Sequence, residues 1–133
     1  MTAAALKTVS RLNGHAMDEL KREIGAIERR LSVNEQECAR AADRLEVELR
    51  VASELPHLDT AAFSAAQRQR IGALGHERKR LTAELETLRE RLSGVFVDAR
   101  PVELALERHG AAQAASAAKT AQANLDEVTG RTI

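Results

Sequence analysis

The side chains able to do chemistry in this chain are few and scattered. The four histidines, His15, His57, His76 and His109, include no i, i+4 pair, so no two share a helix face as metal ligands must. His76-Glu77 opens like a zinc-hydrolase helix, but Arg80 stands where the second histidine belongs. Cys38 is the lone cysteine; it cannot close an internal disulfide, fits a reducing compartment, and reads as a small buried hydrophobe rather than a nucleophile. Gly72 and Gly75 lie in a helical pattern with no strand before them, which is not a phosphate-cradling loop. Acidic and basic residues alternate as on a solvated face. The sequence therefore predicts no catalytic, metal-binding or cofactor-binding residues, no small-molecule substrate, and a protein that is not an enzyme.

What remains is a pattern of apolar spacing. Met17, Leu20, Ile24, Ile27, Leu31, Cys38, Ala41 and Leu45 recur at three-four intervals in the first half. Ile71, Leu74, Leu81, Leu85, Leu88, Leu92, Val95, Ala99, Val102 and Leu106 do so in the second. A 3.5-residue repeat keeps one apolar seam facing one partner helix. The turn Leu55-Pro56-His57-Leu58-Asp59 separates the two series. The predicted fold is all-α, a single antiparallel two-helix coiled-coil hairpin over residues 1–133, with an overhanging C-terminal helical tail.

Composition agrees. Charged residues make up 30% of the chain and aromatics 2%, with no Trp or Tyr; a globular core leans on aromatic bulk, a two-helix seam does not. No apolar run approaches the roughly 18–20 residues of a membrane span, and the opening Met1-Thr2-Ala3-Ala4-Ala5-Leu6 lacks the pattern of a secretory signal. A cytoplasmic location is expected. Basic and acidic side chains cancel at twenty each, so no global field draws the chain to nucleic acid or anionic lipid. Locally, residues 31–55 are acidic and residues 67–80 basic, and a fold-back lays these stretches side by side, where flanking charges select antiparallel pairing.

Element boundaries follow from caps and breakers. Helix one is predicted over about 2–55, capped by the Thr2 hydroxyl and ended before Pro56. Gly14 and Gly25 weaken its interior, with Asn13-Gly14 the weakest point. After the turn at 56–59, helix two spans about 60–129, with Asp59 as N-cap and Leu58 and Phe63 at the N′ and N4 positions of a hydrophobic staple. The seam keeps phase across Pro101, which predicts a kink at 98–101 in one long helix rather than a break. A fold-back centred at 57–58 sets Leu31 against Glu84 and Leu85 and leaves the last residues of helix two without a partner. Asn34 falls in the seam, where a buried Asn fixes register at a cost in stability.

Two stretches carry a family resemblance. Ala5-Leu6-Lys7-Thr8-Val9-Ser10-Arg11-Leu12 with Met17-Asp18-Glu19-Leu20, and Gln122-Ala123-Asn124-Leu125-Asp126-Glu127-Val128 after an alanine-rich helix, resemble the FliJ family, small stalk proteins of the bacterial flagellar type III export apparatus. The resemblance implies a soluble, non-catalytic component of flagellar export, at the inner membrane from the cytoplasmic side. It implies as partners the export ATPase hexamer, the membrane protein of the export gate and export chaperones, with no nucleic acid. Gate binding in the family is attributed to the middle and tip of the hairpin, and Phe63, Gln67 and Arg70 are the expected contact stripe. The alternatives are a prefoldin-like or generic coiled-coil scaffold, and a nucleic-acid-binding arm using Arg68, Arg70, Arg78, Lys79 and Arg80 as phosphate contacts. The missing aromatics weigh against base stacking, and the short turn has no room for the strands of a prefoldin.

Overall fold

The computed structural model describes residues 2–132, which form two helices, α1 (Ala3–Glu54) and α2 (Ala61–Thr132), joined by residues 55–60. The helices pack antiparallel as an all-α hairpin, and no strand occurs among the described residues.

The helix ends follow from local chemistry. Thr2 caps α1: its Oγ1 accepts the Ala5 N–H at 3.1 Å and its carbonyl accepts the Leu6 N–H at 3.0 Å. At the other end the Leu55 N–H reaches the Val51 carbonyl at 2.8 Å, and the Leu58 N–H then donates to the Leu55 carbonyl at 3.1 Å. That second bond closes a β-turn with Pro56 at its second position, where a fixed φ is an advantage. The start of α2 lies one residue beyond expectation. The Thr60 carbonyl accepts the Ser64 N–H at 2.9 Å, so Thr60 is the N-cap, while Asp59 Oδ1 takes the Ala61 N–H at 3.1 Å from one position further out. This offset removes Leu58 and Phe63 from the staple positions. Both side chains are exposed, at 46% and 40%.

The described residues fall into two compact units, one of residues 19–92 and one of the stretch to Asp18 with Ser93 onward. In the first, Ile27, Leu81, Leu85 and Leu88 form the core, with Leu20, Ile24 and Leu31 packed against it. Leu81 is fully buried. Asn34 is buried in the seam and its Nδ2 donates to the Leu74 carbonyl at 2.9 Å. A fold-back centred at 57–58 sets Asn34 across from Leu81, and the carbonyl its amide reaches is that of Leu74, nearer the turn. Near the start of α2, Phe63 lies beside Asp43, Arg44, Val47 and Glu48 of α1. Every residue of the predicted seam is buried or half-buried.

Ion pairs that cross this seam among the described residues include Glu28–Arg89 at 3.4 Å, Arg30–Glu77 at 3.9 Å, Glu35–Arg78 at 3.7 Å and Glu37–Arg70 at 3.5 Å. Their side chains are about half exposed, so each contributes about 0–1 kcal/mol and their main effect is on orientation. Two of them, Glu35–Arg78 and Glu37–Arg70, join the acidic stretch of α1 to the basic stretch of α2.

In the second unit Leu6 and Ala99 are buried and Val95, Val102, Leu104 and Leu106 half-buried. Helix α2 runs through Pro101 as one helix. The ring is exposed, and the carbonyl that loses its helical donor belongs to Val97, itself on the exposed side, where water substitutes. Ala99 and Val102 therefore keep their place on the covered face. From Glu107 to Gly130 every residue is exposed.

Candidate functional site

The expected stripe Phe63, Gln67 and Arg70 stands at i, i+4 and i+7 on α2, just after the turn, so one helix face presents all three. The structure gives them different surroundings. Phe63 borders an open cleft with Asp43, Arg44, Val47 and Glu48 of α1 and leaves 40% of its surface to solvent. Gln67 is half-buried, and its Oε1 is shut off from solvent with no hydrogen-bond donor in reach. The Arg70 guanidinium is held by Glu37 across the seam. Only Phe63 therefore offers an outward apolar surface; Gln67 is half-buried and Arg70 is paired with the facing helix.

Phe63 has company that the seam pattern did not single out. Leu55 is 43% exposed, Leu58 46%, Val47 54% and Leu49 46%. Five large apolar side chains thus lie open within residues 47–63, whereas the seam below hides its own. Of these, Val47 shares the cleft of Phe63, and exposed apolar surface of this kind is where partners dock. The sequence signal was present: Val47, Leu49 and Leu58 all lie off the three-four series. A second opening, also unanticipated, lies lower on the hairpin, where Ala26, Arg29, Arg30 and Val33 flank the buried Asn34. Val33 is 52% exposed there.

The basic residues near the tip divide in two. Arg70 and Arg78 are spent on cross-seam pairs, and Arg68, Lys79 and Arg80 remain exposed. No aromatic residue lies between Arg68 and Arg80, and the nearest on α2 is Phe63. His15, His57, His76 and His109 are exposed and far apart in the chain, and Cys38 is half-buried in the seam. Among the described residues no three His, Cys, Asp or Glu side chains gather into a metal-binding group, and no helix is long and apolar enough to cross a membrane. The chain matches no protein-family model, no curated protein and no solved structure.

Proposed function

We propose that this chain is a non-catalytic coiled-coil component of the bacterial flagellar type III export apparatus, acting on the cytoplasmic side with the export ATPase hexamer and the export gate. One observation carries the reading: an antiparallel hairpin that conceals its seam yet leaves Leu55, Leu58 and Phe63 open at the tip. Such a molecule works by contact. In the family that the chain's two ends resemble, the tip region meets the gate, and the exposed apolar tip supports the same role here. Phe63 and Leu58 are the anchoring contacts in this proposal, with Arg70 and Gln67 holding the helix face that presents them. The exposed alanine-rich segment after Glu107 is a second surface, available to the ATPase or to export chaperones.

Deletion of the gene tests the role directly: swimming and export of flagellar subunits should fail, and normal motility in the deletion strain would reject it. Two variants then separate the surfaces. Phe63→Asp with Leu58→Asp should leave the hairpin folded but weaken gate binding. Truncation at Gly110 should leave residues 19–92 intact while reducing stimulation of the ATPase.

A further inference from the structure

Among the described residues the cross-seam ion pair nearest the turn is Glu37–Arg70. Beyond it α1 stays acidic and α2 stops answering. Between Arg40 and Arg68 the chain carries Asp43, Glu46, Glu48, Glu54 and Asp59 against Arg44 and Arg50, and α2 has no charged residue from Ala61 to Gln67. Glu46 holds Arg50 on its own helix at 3.2 Å, and the Asp59 carboxylate accepts the Ala61 N–H. None of the ion pairs among the described residues uses Asp43, Glu48 or Glu54. These carboxylates face a neutral stretch of the opposite helix, so a cation that answers them comes from outside the hairpin.

The charges border apolar surface. Asp43, Val47 and Glu54 stand four and seven residues apart and share one face of α1. Asp43 and Glu48 both line the cleft that holds Val47 and Phe63, where Arg44 supplies one opposing charge. The exposed Leu55 and Leu58, joined by the hydrogen bond of the turn, follow at the tip. A lysine or arginine can lay its methylene stem on Val47 and the Phe63 ring and bring its charged head to Asp43 and Glu48, with the ring face adding to the attraction. An acidic or phosphate-bearing partner meets repulsion there. A second copy is a poor match: its exposed basic residues Arg68, Lys79 and Arg80 lie in a stretch with no large exposed apolar side chain to cover Val47 and Phe63.

We propose that the tip cleft seats a lysine or arginine from a segment of another protein that carries apolar residues beside it. The site is the contact surface of the function proposed above and rests on that reading; what it adds is the partner's sign of charge.

The probes are synthetic amphipathic helical peptides with the same leucines and with lysine, glutamine or glutamate on the polar face. Binding to the full chain is read by fluorescence anisotropy and its footprint by hydrogen exchange. The lysine peptide should bind best, protect residues 43–63 and weaken as salt rises. Asp43→Lys with Glu54→Lys should weaken the lysine peptide about tenfold and change the glutamine peptide less than about twofold. Arg44→Gln removes the opposing cation and should tighten the lysine peptide about threefold. Phe63→Ser should weaken the lysine and glutamine peptides alike. All four positions are exposed, and unchanged helical circular dichroism checks that the hairpin stands. A glutamate peptide that binds the tip as well as the lysine peptide, a lysine footprint elsewhere, or unchanged affinity in the charge-reversed variant would overturn the site. Tip-dependent binding to phosphatidylserine vesicles, or a dimer in sedimentation that Asp43→Lys abolishes, would also overturn it. No export component enters these assays. Normal motility in the deletion strain rejects the export role and leaves the site standing, whereas a misplaced footprint removes the site and leaves the export role to that strain.

Discussion

Asn34 is the sharpest test of how this hairpin chooses its pairing. Its Nδ2 spends a buried position on one hydrogen bond to the Leu74 carbonyl, 2.9 Å away. That carbonyl also receives the helical bond of the Arg78 N–H, so deleting the amide leaves no orphaned acceptor. Asn34→Ala should therefore cost the bond, about 1 kcal/mol, plus a small void, for about 1–2 kcal/mol in all. Asn34→Leu loses the same bond but buries a side chain whose transfer is worth about 1.5–3 kcal/mol, so it should come out about 1 kcal/mol more stable than the parent. Thermal unfolding followed by circular dichroism reads both signs, at roughly 4 °C per kcal/mol for a chain of this size. The leucine variant should carry a second signature. A slip of one heptad brings the same apolar faces together, and in the parent that slip sets the Asn34 amide against Leu81, in the driest part of the seam. With leucine at 34 the penalty disappears. Pairing of Cys38 with Ile71→Cys should then lose ground to pairing with Arg78→Cys, one heptad on. If Asn34→Ala melts like the parent, or Asn34→Leu keeps the parent's cross-linking preference, Asn34 does not set the register and the reasoning fails.

Leu81→Ala removes the one fully buried leucine and should cost about 3 kcal/mol by urea unfolding, more than Leu85→Ala, whose seat is slightly open. Gly14→Ala should raise stability by up to about 1 kcal/mol, because nothing lies within 4 Å of the added Cβ and the helical backbone there suits alanine; a lowered melting temperature would mean that the helix is strained at Asn13-Gly14. Glu37→Lys breaks the pair with Arg70 and sets two cations together; the loss should be under about 1 kcal/mol and should shrink in high salt. Phe63→Asp should cost about 1–2 kcal/mol, since the residue is 40% exposed and otherwise rests against α1; a loss above about 3 kcal/mol would place Phe63 in the core and remove it from the contact surface.

The parts of this fold legible in the sequence are those that one periodicity determines. Leu20, Ile24, Ile27, Leu31, Leu81, Leu85 and Leu88 had to share a face because no other arrangement hides them all, and they do. Thr2 and Asn34 were equally readable, one as the capping hydroxyl before a helical run, the other as the polar residue in an apolar series. Periodicity alone does not fix register, because a repeat is by construction nearly blind to a shift of its own period. What breaks that degeneracy is a single amide and a few half-exposed charges, terms of about 1 kcal/mol each. The start of α2 shows the same limit on a smaller scale. Asp59 and Thr60 are both good caps, and the choice between them moved Leu58 and Phe63 out of a staple and into solvent. The candidate contact surface thus depends on a one-residue decision that propensity alone does not make. The tail differs in kind: it is exposed from Glu107 to Gly130, and its alanines favour helix while burying little area, so propensity rather than packing makes it legible as helix.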